Sequence, residues 1–327
     1  MAFADIIGQE ISVRLLCDAL ASDRLHHAYL FTGPEGVGKR ATAIMLAMAL
    51  HCLARQGDAC GRCIECARIR NRNHPDVREI EPLPGKKEIT IQQIRGMEKD
   101  LQLRSFTGRR KVAIIDPAAL LNQPSQNALL KTLEEPPKDS LLILISPSMG
   151  ALLPTVRSRC LRVSFGPIPR QLLAVYLSST RGLPDEEAKL LAAISMGSLG
   201  VALAMHGSES REVRREWGRR LATLDRSDYH GAMEIAEELA SDREESLAFL
   251  RWVQSWYRDL VAHRLGQEGL VNLDLLPELQ LKAAQTSVKA ILSCAAEAGD
   301  APEKIQRNLN RRMVLEQLLF ADVRSRQ

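Results

Sequence analysis

Aromatic residues make up only 4% of the 327 positions, a shortage that argues against a single-strand nucleic-acid binder built on stacked bases. No uninterrupted apolar run approaches the ~20 residues of a membrane span. The first residues also lack a basic stretch followed by an apolar one, the pattern of a secretory signal. The expected place of work is therefore the cytoplasm, with no membrane partner. Charge of one sign is not in large excess: the formal net charge is +4, which permits contact with a polyanion without demanding it. Cysteines number seven, and in a cytoplasmic chain they point to metal ligands and buried thiols rather than disulfides. No internal repeat or low-complexity tract stands out. Length and an ordinary balance of 45% apolar and 26% charged residues suit two or three domains with a sizeable core.

What the chain does have is concentrated near its start. Gly33-Pro34-Glu35-Gly36-Val37-Gly38-Lys39-Arg40 follows the apolar run Ala28-Tyr29-Leu30-Phe31-Thr32 and opens an alanine- and methionine-rich stretch over 41–53. Strand, glycine loop and helix in that order are the setting of a phosphate-binding loop. Gly33, Gly36 and Gly38 let the backbone turn its N–H groups inward, the helix start adds partial positive charge, and Lys39 reaches the outer phosphates. The last position departs from the pattern. Where the usual loop has Ser or Thr to hold magnesium, this chain has Arg40. Thr42, two residues on, is expected to face another way on the helix. A glycine loop that merely joins strand to helix is the plainer alternative for the chemistry. The apolar run 111–115 ends in Asp116, where a magnesium-orienting carboxylate stands in such folds, but Pro117 follows it and carries no base to activate water.

The second cluster is Cys52 with Cys60-Gly61-Arg62-Cys63-Ile64-Glu65-Cys66. Four thiolates at this spacing converge on one tetrahedral ion, and zinc is its natural occupant, in a structural site with no open position. A disulfide switch and two pairs of inert thiols are the rival readings. His74 is expected to cap the module beside Pro75 and Asp76 rather than to ligate.

Elsewhere, strands are expected at 77–80, 141–146 and 161–165, with helices at 89–103 and 122–135. Strands alternating with helices predict a doubly wound parallel sheet. Beyond Gly166-Pro167-Ile168-Pro169 the pattern is helical only: three short helices over 170–206, then amphipathic helices at 211–224, 229–240, 244–264, 279–298 and 302–323. The expected division is 1–166, with the cysteine module at about 52–75, then 167–207, then 208–327.

The phosphate loop, the module ending in His74-Pro75-Asp76, the segment Asn127-Ala128-Leu129-Leu130-Lys131-Thr132-Leu133-Glu134-Glu135-Pro136-Pro137, and Ser158-Arg159-Cys160 together resemble the bacterial sliding-clamp loader subunits of the AAA+ class. The resemblance covers residues 1 to about 205. It implies an AAA+ RecA-like sheet with a small zinc module, a three-helix lid and an all-α collar. Two subunit types share this layout. The motor type, gamma/tau, has Lys-Ser or Lys-Thr in its loop, Asp-Glu on the second strand, threonine on the next, and an arginine on the lid. Here those places hold Arg40, Pro117, Ser146 and Gly200. These departures make the chain more similar to the delta-prime type, which keeps the fold without the hydrolysis.

The same resemblance implies partners: gamma/tau and delta subunits, the sliding clamp and primer–template DNA. It implies that Arg159 acts in trans, as an arginine finger toward ATP held by a neighbouring gamma subunit. Lys131, and less so Arg95 and Arg104, become candidates for contact with DNA phosphates. The intact stretch 33–39 is compatible with ATP or ADP bound without hydrolysis and equally with no nucleotide. Two readings from other classes stand beside this one: a motor-type ATPase using Lys39 and Asp116, and a zinc-dependent nucleic-acid module built on the cysteines.

Overall fold

Five short runs rich in branched apolar residues form five strands: β1 Ala28–Thr32, β2 Val77–Ile80, β3 Lys111–Ile115, β4 Ser140–Ser146 and β5 Leu161–Ser164. All pair in parallel, in the order β2-β3-β4-β1-β5, in a computed structural model that describes residues 2–54, 57–206, 208–225, 227–267, 269–306 and 309–324. β1, β3 and β4 are buried along their whole length because helices cover both faces of the sheet. Alternate residues serve the two faces. Tyr29, Phe31, Val112, Ile114 and Ile143 pack with Met45, Leu46 and Met48 of the helix Lys39–His51. Leu30, Ala113, Ile115, Leu142 and Leu144 pack with Ile94 and Met97 of the helix Ile91–Gln102 and Leu129 and Leu133 of the helix Gln123–Glu134. The result is a three-layer α/β unit built on a parallel sheet, as the alternation of strands and helices predicts.

Polar side chains set where these helices begin. Asn122 Oδ1 accepts the Ser125 N–H at 3.0 Å, and Gln93 accepts the Thr90 N–H at 3.1 Å in a capping box. A short helix, Ile64–Arg70, completes the cysteine module and has no counterpart in the sequence reading.

The chain divides into two compact units, Met1–Tyr176 with Gly197–Val201, and Leu177–Met196 with Ala202–Gln327. The second is all helical. Its core gathers Phe249, Leu250, Trp252, Val253, Trp256 and Tyr257 of the helix Arg243–Arg264. Two charged pairs are buried in it, Arg214 with Asp274 and Lys282 with Asp322; the Tyr257 hydroxyl donates to Asp322 at 2.9 Å.

Two helix boundaries differ from expectation. The helices expected at 279–298 and 302–323 are instead Leu276–Gln285, Val288–Gln306 and Arg311–Arg324, with Pro302 inside the second. A proline in a helix leaves the carbonyl four residues earlier without its donor. Here that carbonyl, Ala298, accepts from Gln254 Nε2 at 2.9 Å, so the helix continues through the proline. The new helix start falls earlier, where Ser287 Oγ accepts the Ala290 N–H at 3.3 Å.

Candidate functional site

In a parallel sheet all strands end on the same side. The loop after β1, Glu79 and Glu81 at the end of β2, Asp116 after β3 and Ser146 at the end of β4 therefore share one edge. The backbone of the phosphate loop is fully formed. Gly33 has φ 141° and lies against the Phe165 carbonyl, where an added Cβ would come within 2.0 Å of the oxygen. Gly36, at φ 73°, is approached as closely: its carbonyl accepts the Gly200 N–H at 2.9 Å, and a Cβ would lie 2.2 Å from Ser198 Oγ. Gly38, also left-handed, caps the helix Lys39–His51.

The side chains are turned inward. Lys39 is buried, and its ammonium donates to the loop's own carbonyls, Gly33 at 2.6 Å and Pro34. Burial pushes its pKa down. Thr42 is buried and donates its hydroxyl back along the helix to the Gly38 carbonyl at 2.9 Å. Ser146 donates its hydroxyl to the Ser148 carbonyl at 2.6 Å.

Arg40 reaches across the strand ends. Its guanidinium contacts Glu79, lies 3.1 Å from Glu81 Oε1 and 3.8 Å from Asp116 Oδ2. Arg72 adds a second guanidinium, 3.6 Å from Glu79 Oε1 and in contact with Glu81. Burial pushes the Asp116 carboxyl above its usual range, against the pull of Arg40 and Lys39. Glu81 moves the other way, held down by the hydrogen bond from Arg40. The structure thus brings Gly33, Gly36, Gly38, Lys39, Arg40 and Asp116 together. Sequence reasoning singles out neither Glu79 nor Glu81; the available signal is their spacing of two, which puts both on one side of an edge strand.

Arg159 stands apart from this group. It precedes β5, whose Leu161 is level with Tyr29 of β1, so it lies at the sheet end opposite the phosphate loop. Its guanidinium is 2.7 Å from Glu134 Oε1 and donates to the Thr155 carbonyl at 3.0 Å; about a third of the side chain is exposed. Burial pushes the thiol of Cys160, beside it, up to about 12.

Cys52, Cys60, Cys63 and Cys66 converge, with their sulfurs all within 4.8 Å of one another. A tetrahedral ion with bonds of ~2.3 Å sets its sulfurs ~3.8 Å apart, so small movements suffice for the four thiols to hold a metal ion. The Arg62 and Cys63 N–H groups pull the Cys60 thiol down to about 6, while burial pushes Cys66 up to about 12. Arg109 fixes the module to the sheet domain by donating to the carbonyls of Leu50 at 2.8 Å and Cys52 at 3.1 Å.

His74 belongs to a different cluster, with His51 and Asp76. Its Nε2 is 2.9 Å from Glu65 Oε2, and its Nδ1 accepts the Asp76 N–H at 3.0 Å. Asp76 spends both oxygens on the loop 105–107, and burial drives His51 down to about 4. The cluster is structural: its carboxylate already has its donors.

Parallel sheet, phosphate-loop backbone and four-thiol module thus make up one α/β unit in which Lys39 and Arg40 are engaged by groups of the chain itself. A family model described as DNA polymerase III, delta subunit, matches residues 8–169, and one described as DNA polymerase III, delta subunit, C terminal, matches residues 212–321. DNA polymerase III subunit delta' of Pseudomonas aeruginosa is 33% identical over 301 residues, 90% of each chain. Subunit delta' of Escherichia coli is 30% identical over 304 residues, 91% of this chain and 89% of that one. Subunit tau of Escherichia coli is 35% identical over 209 residues, 62% of this chain and 32% of that one. The chain belongs to the DNA polymerase III subunit delta' family.

Proposed function

We propose that this chain is the non-hydrolysing subunit of a sliding-clamp loader, working in the cytoplasm with gamma/tau and delta subunits to place the sliding clamp on primer–template DNA. The observation that carries this reading is Lys39: the cation that would meet the outer phosphates is buried on the loop's own carbonyls. Pro117 supplies no base, and Gly200, where a motor subunit has its lid arginine, donates its N–H to Gly36 and brings no charge to the loop. With the lysine so engaged and no base beside Asp116, no chemical step is assigned to this chain's own loop.

Arg159 takes the catalytic role in trans. Its place at the far end of the sheet puts it out of reach of this chain's own loop, and Glu134 holds it partly exposed. A neighbouring nucleotide would compete with Glu134 for the guanidinium, which then stabilises charge on the transferring phosphoryl, an effect of roughly 10³–10⁵ in arginine-finger systems. The four cysteines hold zinc as a structural ion. The helices over 167–207 form a lid, and those over 208–327 a collar for assembly. Lys131, exposed on the helix Gln123–Glu134, contacts DNA phosphates. Among the described residues no helix is long and apolar enough to cross a membrane.

The test is ATP hydrolysis by the purified chain, alone and after mixing with gamma, delta, clamp and primed DNA. The chain alone is expected to be inactive. In the assembly, Arg159→Ala is expected to lower turnover at the site it completes by roughly 10³-fold while assembly persists. Magnesium-dependent phosphate release by the isolated chain, or unchanged turnover with Arg159→Ala, would overturn the reading.

A further inference from the structure

A protein can fail to split ATP and still bind it with magnesium, so loss of hydrolysis and exclusion of the metal are separate properties. In a working phosphate loop the hydroxyl after the lysine and the aspartate at the neighbouring strand end face one magnesium ion. Here Arg40 starts from the hydroxyl's position, and its guanidinium enters the space between the helix start and the ends of β2 and β3. Nη1 is 3.8 Å from Asp116 Oδ2, Nη2 is 3.1 Å from Glu81 Oε1, and Nη2 also contacts Glu79 Oε2. It is tethered on three sides by carboxylates from two strand ends.

Arg40 is not the only cation here: Lys39 and Arg72 also face the carboxylates Asp116, Glu79 and Glu81, with Glu35 of the loop acting on Lys39 as well. A divalent cation entering this group would meet a guanidinium within a few ångströms and find Glu79 Oε2 and Glu81 Oε1 already hydrogen-bonded to it, with Asp116 Oδ2 in the longer 3.8 Å pair. Hard cations such as Mg²⁺ and Mn²⁺ need several free oxygen ligands. Glu79 is nearly buried, with a tenth of its side chain exposed, so it has little freedom to turn toward a new partner.

We infer that Arg40 is an internal replacement for the magnesium ion: its guanidinium neutralises Asp116, Glu79 and Glu81, ties the helix start to the strand ends, and excludes divalent cations from the phosphate loop. The arrangement also sets what the site becomes without Arg40. Three carboxylates would then face only Lys39 and Arg72, leaving an oxygen-rich, net-negative pocket suited to a hard divalent ion.

The test is a Mn²⁺ titration of the full chain without nucleotide, its cysteine site loaded with zinc, reading free Mn²⁺ by its EPR sextet. Mn²⁺ is chosen because it prefers oxygen donors and leaves the thiol site alone. Wild type and Asp116→Asn are expected to bind equally. Arg40→Ser is expected to gain a single Mn²⁺ held at least about tenfold more tightly than any on wild type, since a like charge a few ångströms away has been removed. That gain should vanish in Arg40→Ser/Asp116→Asn and be absent from Arg40→Lys, which keeps the charge. The inference is overturned by Mn²⁺ binding to wild type that Asp116→Asn abolishes, by a gain in Arg40→Lys, or by no gain in Arg40→Ser of unchanged circular dichroism and melting. Should Arg40→Ser not fold, wild type against Asp116→Asn and Arg40→Lys decide. Mn²⁺ bound by wild type without turnover would sink this inference alone, whereas ATP hydrolysis by the isolated chain would sink the proposed function too.

Discussion

Asp76→Asn removes one charge from a carboxylate of the sheet domain that accepts four hydrogen bonds. Asp76 is buried; Oδ1 accepts the Phe106 N–H at 2.9 Å, and Oδ2 accepts the Thr107 N–H at 2.9 Å and the hydroxyls of Thr107 at 2.8 Å and Ser105 at 2.9 Å. Lys111, also buried, has its ammonium 3.8 Å from Oδ1. Burial alone would raise the carboxyl, but these donors outweigh it and bring it from 3.8 down to about 2. A carboxyl lowered on folding stabilises the protein fully above its unfolded value and loses that contribution as pH falls through the folded one. The window is thus from about pH 4 down to about pH 2, and the difference is worth about 2 kcal/mol at neutral pH. Asparagine keeps the shape, but turns an NH₂ toward a donor and leaves Lys111 without its counter-charge, bringing the expected loss to about 2–4 kcal/mol. Trp217, Trp252 and Trp256 all lie in the other unit, so fluorescence would miss it. The assay is native-state amide exchange at Phe106 and Thr107 in the full chain, expected to accelerate ~30- to 1000-fold. An acceleration below about fivefold, or an acid dependence between pH 4 and 2 as steep in the variant as in wild type, would refute the reasoning.

Three further outcomes follow from the site. Zinc content, measured on the purified chain by mass spectrometry, is expected to be stoichiometric and to be lost in Cys66→Ser, with faster amide exchange confined to the module around 52–75. Gly200→Ala would place a Cβ 2.9 Å from the Gly36 Cα, backbone against backbone; a cost of about 1–3 kcal/mol is expected, seen as a lower melting midpoint. An unchanged melt would refute a close backbone contact between Gly200 and Gly36. Lys131→Ala, in the assembled loader, is expected to weaken binding to primed DNA equally across sequences and to reduce the salt slope by about 1; an unaltered slope removes Lys131 from the interface.

Much of this protein was legible from order along the chain. The buried strands announce themselves because each is a run of branched apolar residues between helix-period segments, and burial on two faces leaves no room for alternation. The glycine loop and the four cysteines are legible for the same reason: their chemistry depends on residues a few positions apart. The short helix Ile64–Arg70 and the passage of a helix through Pro302 were not, since the first is too short to show a period and the second depends on Gln254 reaching the Ala298 carbonyl from another helix.

The amino-acid order by itself settled the fold class, the phosphate-loop backbone and the thiol set, because these rest on short-range periodicity and spacing. Only the tertiary structure decided what the charged side chains do. It set Arg40 among Glu79, Glu81 and Asp116, Arg159 on Glu134, and Lys39 on its own loop. Except for Lys39, those partners lie some 25 to 76 positions apart in the chain. An ion pair is selected by where packing leaves two long side chains, and no local pattern records that.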